Sequence, residues 1–549
     1  MINRLFITSF IMIFLASVAV ADEQDWLNYG GDIGQTRYVN NADLSVENID
    51  KLRLKWMFQT GVVGSFENTP LVEKDVMYVS TPYNHVYAIN VHTGQSLWRY
   101  RHELAATNFC CGPNNRGLAL DDQYVFMTTL DAKLLALDKQ SGELVWQSNL
   151  GDPDYGYSGT EAPLHYQGLV ITGIAGAEYG IRGFISAHDA KTGDLVWRWF
   201  TIPEPDEKQP DGTMGWTGVF QQKADGINTL NRDINAEKAQ IAAGEYADAW
   251  KKGGGSAWTT KSVDAETGLL FATIGNPAPD LDGSVRPGDN RWTNSLVALD
   301  IKTGKLVWGY QYLPHDVWDL DSVSPPILTT AKNKQGDLVD AVIHGGKTGW
   351  AYIHDRQTGE LIRRSEAMVE QRNLFSLPTK GQGTEMLPGA NGGVNWSPGS
   401  VNPNTRYVYY SNLHQPMHYE LRSVPWRRGR LWLGGAFKGV PGAVQSGNIS
   451  AVNIDTGKIA WQYKSKQPMI GGSLTTAGNL VFSGGDDGYF IALDASTGEK
   501  VWQFQTGAGV NAAPMAFTLD GKLHIAVAAG GNAQINTSRG GTVLVFSVD

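Results

Sequence analysis

VALDIKTGKLVW, residues 297–308, decides the architecture, because the chain writes it again and again. It returns as YAINVHTGQSLW, LALDKQSGELVW, SAHDAKTGDLVW, SAVNIDTGKIAW and IALDASTGEKVW. Each copy has Asp or Asn, then Thr or Ser three residues on, Gly four on and Trp eight on. The pairs are Asn90/Trp98, Asp138/Trp146, Asp189/Trp197, Asp300/Trp308, Asn453/Trp461 and Asp494/Trp502. A copy at Asp355, YIHDRQTGELIRR, keeps the turn without the tryptophan, and the terminal VLVFSVD is an eighth copy cut off at Asp549. An alternating strand running into an Asp-x-x-Thr-Gly turn is a hairpin, with Gly taking the positive φ that other residues avoid. The tryptophan on the following strand is large enough to staple one sheet to its neighbour.

Successive turns lie 48, 51, 111, 55, 98 and 41 residues apart. Two intervals carry insertions, a polar, helical stretch over about 203–252 and a loop-rich one over about 365–440. The remainder is about 40–55 residues per unit, the size of a four-stranded propeller blade. SVDAETGLLFATIG, around Asp264, reads as the first hairpin of a blade. The expectation is an all-β, eight-bladed β-propeller with tryptophan-docking repeats over 22–549, closed by pairing the C-terminal strand with one after Trp26.

The chain opens with Arg4, a short apolar run and Ala19-Val20-Ala21, which reads as a cleaved signal peptide over 1–21. No later stretch is long and apolar enough for a membrane span. Export to a bacterial periplasm is the most economical reading. A net charge of −10 argues against nucleic acid and anionic membranes as partners.

In an up-and-down blade of strands A to D, the Thr-Gly turns are all C–D turns. The irregular segments fall in the B–C and D–A connections, at the opposite end. NFCCGPNNRG (108–117), YSGTEAP (157–163), GGGSAW (253–258) and HDVWDLDS (315–322) join D to A. GAEYGIRG (176–183), GNPAPDLDGSVRPGDNRW (275–292) and HGGKTGW (344–350) join B to C. Seven segments from different blades therefore converge near the axis, where function on a rigid scaffold tends to live.

Cys110 and Cys111 are the only cysteines. Exported proteins seldom keep free thiols, so a vicinal disulfide is favoured over two free thiols or an intermolecular link. Asp319 and Asp321 raise a second question. In an extended segment their side chains leave the same face, roughly 7 Å apart, repelling by about 2–3 kcal/mol. Either water screens them on a surface loop or a cation sits between them. With Glu178 and Asn276 they offer only oxygen ligands, which select a hard cation.

These residues resemble the quinoprotein alcohol dehydrogenases, periplasmic eight-bladed propellers that use pyrroloquinoline quinone (PQQ). The resemblance spans nearly the whole mature chain. It is carried by the adjacent cysteines followed by NRG, GAEYGIRG, IGNPAP with RPGDNRWT, WDLD and the tryptophan repeats. It implies that the Cys110–Cys111 ring packs on one face of PQQ and Trp258, 18 residues before Asn276, on the other. It implies that Glu67, Arg116, Thr160 and the backbone of Ala175, Gly176 and Ala177 hold its carboxylates and carbonyls. Lys347 would reach the ortho-quinone oxygens, and Asn395 and Trp396 would line the far edge. Glu178, Asn276 and Asp319 would ligate the metal, with Asp319 also the general base.

Calcium-dependent members carry a small or uncharged residue two positions after this aspartate, whereas an acidic residue there marks lanthanide-dependent members. The resemblance thus makes Asp321 a lanthanide ligand. It implies a primary alcohol as substrate and, since no C-x-x-C-H motif occurs, an external soluble c-type cytochrome as electron acceptor. The alternatives are the same enzyme on Ca²⁺, a non-catalytic propeller scaffold and a sugar or aldose dehydrogenase. Oligomeric state, a homodimer included, is left open.

Overall fold

The computed structural model describes residues 24–105, 109–535 and 537–548. The expected signal peptide lies outside them. Among the described residues no helix is long and apolar enough to cross a membrane.

Among the described residues eight blade sheets form, seven of four strands and one of five. A representative blade runs Ser262–Asp264, Leu269–Ile274, Ser295–Asp300 and Leu306–Gln311, each strand antiparallel to the next. Asp264 therefore does belong to the first hairpin of a blade. The inner strands are buried on both faces, as in Leu296–Leu299, while the outermost strand is partly exposed. The ring is closed by Leu52–Gln59, antiparallel to Thr542–Val548 from Leu52 opposite Val548 to Gln59 opposite Thr542. Tyr38–Val39 adds a fifth, parallel strand beside Leu474–Thr476.

The repeated tryptophans do what their size suggests. The indole N–H of Trp98 donates to Lys139 O at 3.1 Å, that of Trp146 to Ala190 O at 3.2 Å, and that of Trp197 to Ile301 O at 3.0 Å. Each acceptor belongs to the next blade's turn. The glycine of that turn lies under the ring: a Cβ on Gly142 would meet Trp98 ring carbon at 2.4 Å, and φ there is +74°. One residue thus satisfies two demands, a left-handed turn and no side chain beneath an indole.

Repeat counting missed one staple. The truncated eighth copy takes its tryptophan from the other end of the chain. Trp56, on the closing strand, donates to Val91 O at 2.7 Å and lies over Gly94.

Both insertions need correction. The first contains a single nine-residue helix, Ile234–Ala242, a short 3-10 turn and a two-stranded hairpin, so it is mostly turns. The range 365–440 is not one insertion: Ser400–Asn402 and Tyr407–His414 within it are blade strands. The excess is two excursions, one before the blade and one between its second and third strands, which meet in the sheet Thr384–Met386, Met417–Leu421 and Gly435–Gly439. Alternation alone could not show this, because blade strands and excursion strands read alike.

Candidate active site

The connections opposite the Thr-Gly turns line a partly open cavity. Its wall contains Cys110, Cys111, Arg116, Thr160, Ala175, Gly176, Glu178, Trp258, Asp319, Asp321, Lys347 and Asn395. All seven singled-out segments except GNPAPDLDGSVRPGDNRW reach the wall directly. Convergence by topology therefore held for residues up to 237 positions apart, Cys110 and Lys347 among them.

The cysteines are joined as Cys110–Cys111. One carboxylate oxygen of Glu178 and the two sulphurs lie within 4.8 Å of one another. Four expected residues stand outside the wall. Glu67 is wholly buried behind Arg116, its Oε2 2.9 Å from Nη2, and accepts from Asn532 Nδ2 at 2.6 Å. Ala177 N–H donates to Ser256 Oγ at 2.8 Å. Trp396 is buried, its ring centroid 4.9 Å from the Arg116 guanidinium, with Trp258 at 4.8 Å. Asn276 reaches the site through its backbone, whose N–H donates to Asp321 Oδ1 at 2.5 Å, while its side-chain amide donates to Pro277 O at 3.2 Å.

The loop carrying Asp319 and Asp321 is not extended. Asp316 accepts from Trp318 N–H at 2.7 Å, Leu320 N–H at 3.0 Å and Asn294 Nδ2 at 2.8 Å, which curls the chain. Asp319 then takes φ +58°. Trp318 anchors the turn by donating to Ser376 O at 2.7 Å, and Leu320 is buried in the core. The carboxylates still converge, but through a left-handed turn instead of strand alternation. The cation between them is the ammonium of Lys347, 2.9 Å from Asp319 Oδ1 and 3.2 Å from Asp321 Oδ2. Among the described residues, Glu178, Asp319 and Asp321 do not form one tight trio. Like charges repel, and Lys347 draws two of them to itself.

Burial pushes Asp319 well above the usual carboxylate range, against the opposing pull of Lys347, and burial likewise raises Glu178. Burial alone would lower the Lys347 ammonium, but Asp319 and Asp321 more than reverse that. A further acid emerges here. Asp280, 1 % exposed, makes no hydrogen bond at Oδ1, and burial followed by the charges of Asp319, Glu178 and Asp321 raises it strongly. It lies in the quoted 275–292 segment but carried no signal of its own. Asn114, Ser158, Ser256, Ala390, Asn391 and Gln534 also line the cavity without having been singled out.

Whether these residues suit a planar, polyanionic cofactor can be tested on unmet hydrogen bonds. Asn114 Oδ1, Arg116 Nε, Ser158 Oγ and Thr160 Oγ1 are buried and unpartnered, and all four belong to wall residues. The large majority of buried side-chain polar atoms are paired, so four orphans on one wall fit a polar ligand. The cystine and Trp258 supply apolar surface for a ring, and Arg116 supplies charge. The oxygen-rich set at Glu178, Asp319 and Asp321 suits a hard cation of high charge. The residues fit.

Comparison with known proteins agrees. The family model for the PQQ glucose/ethanol/alcohol dehydrogenase β-propeller domain matches residues 26–229, 231–376 and 443–525. Quinoprotein alcohol dehydrogenase PedH of Pseudomonas putida is 34% identical over 510 residues, 89% of this chain and 83% of that one. Methanol dehydrogenase (cytochrome c) subunit 1 of Paracoccus denitrificans is 32% identical over 538 residues, 92% and 83%. A solved europium-containing methanol dehydrogenase superposes with a TM-score of 0.82 at 28% identity, over 95% of this chain and 98% of that one.

Proposed function

The chain belongs to the PQQ-dependent quinoprotein alcohol dehydrogenases, and on that premise we propose that it oxidises small primary alcohols to aldehydes in the periplasm with a lanthanide(III) ion, delivering electrons to a c-type cytochrome. The observation that carries the metal reading is the second carboxylate. Asp319 and Asp321 share one cation, Lys347 Nζ, in the cavity wall. With Glu178 and a carboxylate of the cofactor they would bring about four negative charges beside Lys347, which a trivalent ion balances better than Ca²⁺. Similarity to a europium-containing methanol dehydrogenase supports the same choice.

When bound, PQQ supplies a two-electron oxidant and the metal a Lewis acid. Glu178, Asn276, Asp319 and Asp321 would hold the metal. Arg116, backed by Glu67, would meet carboxylate charge, with Thr160 and the Ala175–Ala177 backbone completing the polar contacts. The cystine and Trp258 would bracket the rings, and Asn395 and Trp396 would close the far edge. Asp319 acts as the base, accepting the hydroxyl proton of the alcohol at a carboxylate oxygen. Lys347 holds a positive charge beside that carboxylate and stabilises negative charge that develops next to it. For this, its ammonium must share or release the two aspartates it now bridges.

The test is dye-linked oxidation by purified apoprotein given PQQ with either La³⁺ or Ca²⁺, across a chain-length series of primary alcohols. Activity with La³⁺ is expected. Activity with Ca²⁺ alone would keep the cofactor and sink the lanthanide. Absence of activity with either metal, together with no bound PQQ, would overturn the catalytic reading.

A further inference from the structure

The excursion between the second and third strands of one blade carries RSVPWRRGRLW, residues 422–432, with four arginines in eleven residues of a chain whose net charge is −10. The loop is fastened to the cavity wall. Trp432 N–H donates to the carbonyl of Glu178 at 2.6 Å, and Trp426 Nε1 donates to the carbonyl of Tyr179 at 2.8 Å. Both indoles lie against Gly180, whose φ is +71° and whose missing side chain lets them approach. Tyr155 packs with its ring tilted 39° at 5.2 Å from Trp426, and Lys252 Nζ lies 4.1 Å over the same ring.

The outer face of this loop is cationic. Arg427, Arg428 and Arg430 are exposed, and so is Lys251 nearby. Among the described residues the guanidinium groups of Arg427 and Arg430 make no hydrogen bond or ion pair, so their charge is uncompensated. The carboxylates that touch the loop are Asp152, 2.5 Å from Arg428, and Asp282, which accepts from Ser423 Oγ. Glu420 is occupied by Arg422 and Lys438. Val424 and Leu431 stand 47% and 53% exposed among these charges. Arginine and tryptophan around small apolar contacts are the composition of interface hot spots.

We propose that residues 422–432, with Lys251 and Lys252, form the docking surface for the electron acceptor, and that this acceptor presents an acidic face around its haem edge. The inference rests on the cytochrome reading above and deepens it. Two features select this surface. It is a positive patch on an acidic protein, which gives a negative partner both steering and register. It is also bonded directly to the backbone of Glu178, so a partner seated there stands next to the cofactor cavity, where electron transfer, which falls steeply with distance, is feasible.

The test uses the loaded holoenzyme and two assays run in parallel: reduction of an acidic bacterial c-type cytochrome, and reduction of a small artificial dye. Arg427→Glu and Arg430→Glu, singly and together, alter side chains without partners and so leave the fold intact. The double variant is expected to lower kcat/KM for the acidic cytochrome about tenfold or more at low ionic strength. Its dependence on salt should flatten, and dye-linked turnover should stay unchanged. A basic c-type cytochrome should respond weakly or in the opposite sense. Unchanged cytochrome kinetics would overturn the proposal. So would a parallel loss with dye, or a variant defect confined to binding of phosphatidylglycerol vesicles, which would assign the patch to a lipid surface. Failure of the unmodified holoenzyme to turn over dye would instead strike the cofactor reading, and the docking inference with it.

Discussion

Asn276 N–H donates to Asp321 Oδ1 at 2.5 Å, tying a D–A connection of one blade to the B–C connection before it. Lys347 approaches the other oxygen of the same carboxylate at 3.2 Å. Asp321 is therefore oriented by one neighbour and charge-compensated by another, and it is 3 % exposed. A surface aspartate screened by water would have neither restraint.

Asp321→Ala is expected to lower La³⁺-dependent alcohol oxidation by about 100-fold or more, beyond what loss of a supporting contact gives. Uptake of Tb³⁺, followed by its luminescence in the apoprotein with PQQ, should fall in step. Tb³⁺ binding that survives the substitution at full strength would show that Asp321 is not a ligand.

Lys347→Met leaves Asp319 and Asp321 buried without their counter-ion. Breaking a buried pair from one side costs about 3–5 kcal/mol, and the metal-free variant should unfold at correspondingly lower urea. La³⁺ should recover more stability in this variant than in the parent, because the carboxylates no longer have to be freed from an ammonium. Equal La³⁺ gains in both would contradict the shared-cation picture.

Trp56→Ala removes the staple of the eighth copy. Loss of a large, partly buried ring and its hydrogen bond to Val91 is expected to destabilise by about 2–4 kcal/mol. Gly94→Ala should also destabilise, since its Cβ would lie 2.9 Å from Trp56 ring carbons at φ +68°. In the double variant the second change should cost less than in the parent, leaving mainly the backbone penalty. Thermal unfolding of the four proteins checks this.

Asp486 gives a pH dependence away from the site. Burial raises it to about 7, against a hydrogen bond from Asn511 Nδ2 at 2.7 Å and with help from Asp487. The folded state thus keeps a proton that the unfolded chain releases near pH 4, so stability falls as pH rises from about 4 to 7. Asp486→Asn should stabilise at pH 8 by about 1–2 kcal/mol, discounted for partial exposure, and change little at pH 4. A gain of equal size at both pH values would show a packing effect instead.

The blade count was legible because seven copies of the C–D turn, Asp/Asn-x-x-Thr/Ser-Gly, recur along the chain and six of them carry a tryptophan eight residues after the Asp or Asn. Those are local demands: a left-handed residue, and an indole that needs a bare glycine in the next turn. The site was legible as a set of segments for the same reason, since B–C and D–A connections of a ring must share one end. HDVWDLDS shows the limit. Its composition announced two carboxylates and a cation, but not that Asp316 would curl the loop, that Asp319 would turn left-handed, or that the cation would be Lys347.

Sequence by itself determined the all-β repeat, the ring, the cystine and the list of chemistry-bearing segments, because these depend on spacing and residue type within about 50 positions. Only the tertiary structure decided that Asp280 joins the acidic cluster, that Asn276 acts through its backbone, that Trp56 completes the eighth blade, and that the loop bearing Arg427, Arg428 and Arg430 is bonded through Trp432 to the backbone of Glu178. Each of those is a contact between segments that no turn and no repeat spacing pairs. Nothing in the local pattern encodes which distant partner a side chain will meet once the ring has closed.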